Sequence, residues 1–247
     1  MDNEQNNEQI ANTTNYTADS IKTLSSLEHI RLRPGMYIGR LGDGSHPDDG
    51  IYILLKEVID NSIDEFIMGV GRRIDIRMGE TEVSVRDYGR GIPLEKLVEC
   101  VSVVNTGGKF NDDVFQFSIG MNGVGTKAVN ALSSEFSVCS FRDGKFRRAW
   151  FQRGNFDRDE KGKTEEPNGT QVTFTPDSSQ FANYSFRQEF IEKRLWMYAY
   201  LNSGLSLYLN GTRFYSKQGL RDLIQVEAGE DRRYEIISFK DKALEFA

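Results

Sequence analysis

The chain has 247 residues, enough for one large domain or for one domain and part of a second. Hydrophobic residues make up 38% and charged residues 28%, which excludes disorder along the whole chain, and no apolar run approaches the about 20 residues a membrane-spanning helix needs. Lys and Arg number 31 against 37 Asp and Glu, for a formal charge of −6, so bulk electrostatics do not mark a nucleic-acid binder, although a local basic patch is compatible with that count. The two cysteines, Cys100 and Cys139, follow no spacing pattern, which excludes a disulfide scaffold; with only two histidines, Cys/His zinc chemistry is excluded as well. The N-terminus has no basic segment followed by an apolar stretch, so a cytoplasmic location is expected.

Residues 1–19 are rich in Asn, Gln, Glu and Thr and read as a flexible arm that cannot bury enough apolar surface to order by itself. Leu24, Leu27 and Ile30 then fall at helical spacing, with Pro34-Gly35 ending the turn. Asp48 or Asp49 caps a long helix to about Met68; Leu55, Ile59, Ile63 and Phe66 line one side and Glu57, Asn61 and Asp64 the other. RIDIRM and EVSVR read as a hairpin around Gly79-Glu80. After DYGRGIP comes a helix over LEKLVECVSVV, then a glycine-rich stretch from Thr106 to Gly125, then a helix over KAVNALSS. SVCSFR and KFRRAWF flank Asp143-Gly144, a strong hairpin signal. The polar residues 154–169 read as a loop, TQVTFTP as a strand, SFRQEFIEKRLWMYAYLN as an amphipathic helix, and LSLYL with TRFY as a hairpin around Asn210-Gly211. One strand is expected after about Asp231. Helices mixed with hairpins predict an α/β (α+β) sandwich on a mixed, largely antiparallel sheet, not a doubly wound parallel one.

Three features carry chemistry. Glu57 and Asn61 sit one turn apart, so a carboxylate and an amide share one helix face, where oxygen ligands suit Mg²⁺; a satisfied polar network would use the same residues. Asp87-x-Gly89-x-Gly91 ends a strand with a carboxylate able to accept from an exocyclic amine, beside glycines that let backbone approach a ligand; an ordinary turn has the same composition. Gly120-x-x-Gly123-x-Gly125 precedes a helix opening with Thr126 and Lys127, a setting that favours phosphate. It follows a polar loop and not the first strand of a parallel unit, so a Rossmann reading fits poorly, and no P-loop string occurs.

In this order, and with Gly169-Thr170 before a later strand, these features resemble the GHKL ATPases, whose two-layer nucleotide-binding architecture is the Bergerat fold with helices on one face of the sheet. RPGMYIG, EVIDNSIDE, DYGRGIP, TGGKF and AVNALS narrow the resemblance, over residues 20 to 240, to the ATPase subunits of bacterial type IIA topoisomerases: the B subunits of DNA gyrase and topoisomerase IV. The resemblance implies ATP and Mg²⁺ as cofactors, Glu57 as the base that activates the attacking water, and Asn61 as the Mg²⁺ ligand. It implies Asp87, with Thr170, as the adenine-recognition group and Gly91 and Ile92 as pocket wall. Gly107, Gly108, Lys109, Gly120, Asn122, Gly123, Val124 and Gly125 are implied as the lid over the phosphates, with Lys127 near them. Arg90, Pro93 and Arg142 match the rim where aminocoumarin inhibitors bind, and Tyr37 a dimer-forming region.

Two departures stand out. The family's usual histidine in the lid is Asn122, and the histidine that orients the base in gyrase, one turn before Glu57, is Ile53. With a short turn after GRGIP, these features lean towards topoisomerase IV. The expected organisation is an arm over 1–19, an ATPase domain over 20–230, and the start of a transducer domain over 231–247. Expected partners are the A subunit and DNA in the whole enzyme, with a nucleotide-dependent homodimer. Another GHKL member, or a module that binds nucleotide without hydrolysing it, is the alternative.

Overall fold

The computed structural model of the protein describes residues 21, 23–107, 123–229, 233–241 and 244–247. The N-terminal arm, and Gly108, Lys109, Gly120, Met121 and Asn122 of the glycine-rich stretch, lie outside the described residues.

Helix α1 (Ser26–Leu32) begins at a capping box: the Ser25 hydroxyl accepts the Glu28 N–H at 3.3 Å, and the Glu28 carboxylate accepts the Ser25 N–H at 2.7 Å. Pro34 ends this helix as its sequence predicts, but its fixed φ also opens a second short helix, α2 (Gly35–Ile38). Helix α3 (Gly50–Ile67) follows, with Asp49 at its N-cap. Asp49 does not cap in the ordinary way. Its buried carboxylate instead accepts the Gly44 and His46 N–H groups, tying down the loop before the helix. Leu55, Ile59 and Ile63 are buried as their spacing demands, and Ile51, Leu54 and Val58 join them, so α3 is enclosed on more than one side.

Eight strands form one sheet in the order β5-β4-β3-β6-β2-β1-β7-β8. They are β1 (Arg73–Met78), β2 (Val83–Asp87), β3 (Ser133–Arg142), β4 (Lys145–Gln152), β5 (Asn155–Lys163), β6 (Gly169–Pro176), β7 (Ser206–Leu209) and β8 (Thr212–Tyr215). Among the described residues only β1 and β7 pair in parallel, so the sheet is mixed and largely antiparallel as expected. Helices α3, α5 (Gly125–Ala131) and α6 (Gln188–Leu201) contact the sheet, and Val83, Val85, Phe136, Val138, Val172 and Phe174 meet them in one core. The alternate positions form a second face, where arginines lie over aromatic rings: Arg73 over Tyr208 at 4.6 Å, Arg86 over Tyr88 at 4.7 Å and over Phe141 at 4.4 Å.

Several expected boundaries move. Residues 154–169 are not simply a loop, because Asn155–Lys163 is strand β5, paired along β4. All nine of its residues are exposed, so no apolar alternation could reveal it; backbone pairing with β4, helped by cross-strand contacts such as Phe151–Phe156 and Arg147–Asp159, makes it a strand. Ser133 and Ser134 belong to β3 and not to the helix before it. The helix after DYGRGIP is shorter than expected: a 3₁₀ turn (Leu94–Lys96) leads into α4 (Leu97–Ser102). Helix α7 (Leu220–Ala228) adds an element not read from the sequence, and the C-terminal residues form a small hairpin, β9 (Phe239–Lys240) with β10 (Glu245–Phe246), in place of one strand. Among the described residues no helix is long and apolar enough to cross a membrane.

Phe174 lies on β6 between β3 and β2 and is 1% exposed. Phe174→Ala is expected to cost about 3–5 kcal/mol by lost burial and cavity formation. Urea unfolding that shows less than about 1 kcal/mol would contradict this placement of the core.

Candidate functional site

Helix α3 carries polar residues on successive turns, and they meet several elements. Glu57 and Asn61 face the entry to α5. The Asn61 amide donates to Glu57 O at 2.9 Å and to Thr126 Oγ1 at 2.8 Å, which spends its N–H groups within the protein and orients its carbonyl as the acceptor end. Gly125 opens α5 directly against Glu57: a side chain there would overlap Glu57 Oε2. The glycine thus makes room for the carboxylate. Val124 is the N-cap of α5, and Gly123 before it has φ 61°, a left-handed conformation that suits glycine.

Lys127, expected near phosphate, is 4% exposed and donates from Nζ to Thr106 O at 2.7 Å. It therefore ties α5 to the chain at the start of the glycine-rich stretch. Among the described residues, nothing lies where a side chain at Gly107 would project.

The C-terminal half of α3 meets the turn after β2. Glu65 lies about 12 Å along the helix axis from Glu57. It holds Arg90 with two side-chain bonds, Arg90 Nη2 to Oε1 at 2.9 Å and Nε to Oε2 at 3.0 Å, and its Oε2 also accepts the Arg90 N–H at 2.8 Å. Such a fork fixes both side chains more firmly than a single contact. Gly89 lies so close to Glu65 that a Cβ would come within 2.6 Å of the glutamate side chain.

Asp87 ends β2 and is 6% exposed. Its Oδ1 accepts the Gly89 N–H at 2.9 Å and the Thr170 N–H at 3.1 Å, whereas among the described residues Oδ2 receives no hydrogen bond. Burial pushes its pKa up from 3.8 to about 6, and the Glu65 charge adds to the rise; the Gly89 and Thr170 hydrogen bonds and the Arg86 charge act against it. A buried carboxylate with one oxygen occupied by backbone amides presents the other as a strong acceptor for a donor group.

The wall of this pocket comes from the turn itself. Gly91 has φ 75°, and a Cβ there would meet Phe141 O at 2.6 Å. Ile92 packs on the core while its carbonyl accepts from Ser140 Oγ at 2.6 Å. Arg142 Nη1 reaches Gly91 O at 3.3 Å, and Pro93 precedes the 3₁₀ turn, so Arg90, Pro93 and Arg142 do gather about one turn. Tyr37 is set apart from this group, with its hydroxyl 2.7 Å from His29 Nδ1.

Two contributors escaped the sequence reading. Glu65 and Ser140 are ordinary polar residues whose roles depend on contacts with other segments. Thr126 and Gly169 were read as parts of motifs, but not their contacts with Asn61 and with the end of β2.

A profile of the family described as "Histidine kinase-, DNA gyrase B-, and HSP90-like ATPase" matches residues 47–180, more than half of the chain and the whole span from α3 to β6. The chain belongs to that ATPase family. Over 236 residues, 95% of its length, this ATPase domain is 56% identical to the B subunit of DNA topoisomerase 4 from Borreliella burgdorferi, of which it covers 39%. It is 39% identical to the type 2 topoisomerase B subunit of Aquifex aeolicus over 80% of its own length and 26% of that protein. The 43K ATPase domain of Thermus thermophilus gyrase B, solved in complex with an aminocoumarin, superposes with a TM-score of 0.72 at 33% identity, covering 90% of this chain and 61% of that one. Within its family the chain is therefore an ATPase domain of the type found in type IIA topoisomerase B subunits, and it spans about two fifths or less of the curated relatives named here.

Gly169 packs against the Asp87 carbonyl and the Arg86 guanidinium at φ 138°. Gly169→Ala is expected to destabilise the ATPase domain by about 2 kcal/mol or more, because both the conformation and the space exclude a side chain. Denaturant titration measures it; a neutral substitution would mean that the β2–β6 junction is looser than described.

Proposed function

We propose that this domain binds and hydrolyses ATP, and that it drives ATP-dependent gate closure and DNA strand passage in a bacterial type IIA topoisomerase. The observation that carries the reading is the division of labour along α3. A buried carboxylate with an acceptor oxygen to spare, Asp87, stands near one end, and a second carboxylate, Glu57, stands against the glycine entry to α5 near the other.

On this reading Asp87 Oδ2 receives adenine's exocyclic amine. The Thr170 backbone amide and the turn through Gly91 and Ile92 shape the pocket, and the backbone of Gly123, Val124 and Gly125 lies on the phosphate side. Lys109, Gly120 and Asn122 belong to the same proposal as lid residues. Asn61 fits Mg²⁺ by the chemistry of its donor set: one oriented carbonyl oxygen suits an ion that keeps several waters and takes phosphate oxygens as further ligands. When bound, that ion would offset phosphate charge during phosphoryl transfer. Glu57 takes the proton of the attacking water. Its job is alignment and proton acceptance, since the rest of this chemistry is positioning and charge stabilisation.

The identity to the Borreliella protein supports topoisomerase IV over gyrase as the parent enzyme. The A subunit, duplex DNA and a second copy of the B subunit are its proposed partners, and residues 231–247 the proposed start of a transducer domain. The gathering of Arg90, Pro93 and Arg142, and the aminocoumarin bound to the Thermus relative, support an inhibitor site at the same rim.

Glu57→Ala should lower turnover by about 10²–10⁴-fold while leaving nucleotide affinity within about twofold, because a general base acts in the transition state. Single-turnover hydrolysis with parallel calorimetry tests this. Equal losses in both would assign Glu57 to binding and overturn the mechanism.

Asp87 supplies a test by pH. Its raised pKa means that ionising it costs the folded state stability; the cost is absent below 3.8 and fully present above about 6. A donor amine favours the ionised form, so affinity for adenosine should rise with pH through about 6 and then level off, and Asp87→Asn should remove the rise. Adenosine has no phosphate to titrate. The same pH dependence in both proteins would place the titrating group elsewhere.

A further inference from the structure

Glu57 sits on a helix surface with 28% of its side chain exposed, and three torsions separate its carboxylate from the backbone. Gly125 makes room on the Oε2 side. The position one turn earlier, Ile53, is partly buried against the core and has no polar atom to offer the carboxylate.

The neighbouring residue, Lys56, is differently placed. Its Nζ bonds to Asp60 Oδ2 and lies 4.0 Å from Glu57 Oε1. Asp60 is 2% exposed, and its other oxygen accepts the hydroxyl of Tyr198 from helix α6. Tyr198 is itself buried, and both burial and the Asp60 charge push its phenol pKa up, so it remains a donor. The sequence Tyr198–Asp60–Lys56–Glu57 thus runs from the core out to the carboxylate.

Two physical consequences follow. A surface lysine is ordinarily free to sample many rotamers, with about 2 kcal/mol of side-chain entropy to lose in one geometry. Here a buried, doubly bonded carboxylate holds it. The buried Asp60 carboxylate also offsets the positive charge that Lys56 places beside Glu57.

We propose that Lys56, anchored by Asp60 and Tyr198, is the positioning residue for the Glu57 carboxylate. The inference rests on the reading of Glu57 as the base, and its test separates the two. Lys56→Met, Tyr198→Phe, Lys56→Arg and Glu57→Ala are compared in the full-length protein for kcat, KM and nucleotide Kd.

Lys56→Met should lower kcat about tenfold and Tyr198→Phe by a smaller factor, with Kd unchanged, since misplacing a reacting group costs rate and not affinity. Lys56→Arg should restore part of the rate, because it keeps a cation that can bond to Asp60 beside Glu57. Wild-type kcat in both Lys56→Met and Tyr198→Phe, with turnover abolished in Glu57→Ala, would overturn the positioning role alone. Full turnover in Glu57→Ala would overturn the base assignment beneath it. Parallel losses of Kd and kcat in Lys56→Met, without rescue by arginine, would make the chain of contacts merely structural and also overturn the proposal.

Discussion

The site depends on how a mostly buried helix tolerates polar side chains. Helix α3 is enclosed by the sheet and by its neighbouring helices, yet it carries Lys56, Glu57, Asp60, Asn61, Asp64 and Glu65 within three turns. Buried charge and buried amide are costly unless paired. Some of the pairings stay within the helix, but three cross to another element: Asp60 to α6, Asn61 to α5, Glu65 to the turn after β2. The polar groups of α3 therefore act as fasteners, and satisfying them brings the two ends of the site into register.

Asp87 shows the same logic from the sheet side. It stands at the end of a central strand, and its burial is bearable because two backbone amides, one from its own turn and one from β6, share its Oδ1. Those bonds hold its pKa below where burial alone would put it, but the balance still lies well above an ordinary aspartate. A group left in that condition has an unmet preference for a donor. The structure thus keeps a local cost in place, as functional sites commonly do.

Much of this was legible in the sequence. The helical period from Leu55 to Phe66 locates α3, and the hairpin signals at Asp143-Gly144 and Asn210-Gly211 locate four strands. Asp87, Gly91 and Thr170 are found by motif, and they do lie together. What could not be read has a common cause. Strand β5 has no buried face, so it left no periodic trace. Glu65, Thr126 and Ser140 matter through contacts with distant segments, which no local window reports. Lys127 is found by its place beside a glycine motif, but its bond to the Thr106 carbonyl, 21 residues away, is again a contact that no local window reports.

The strand order also constrains how the chain reaches this state. Strand β2 lies between β1 and β6, and β1 in turn pairs in parallel with β7. A ribosome releasing the chain from its N-terminus exposes Asp87 long before Thr170, 83 residues later, can supply its amide. Until β6 and then β7 arrive, the centre of the sheet is an open edge and the adenine end of the site does not exist. Nucleotide held at that end can therefore stabilise only a nearly finished domain, and until then the β1–β2 hairpin presents unpaired edges that later strands must cover.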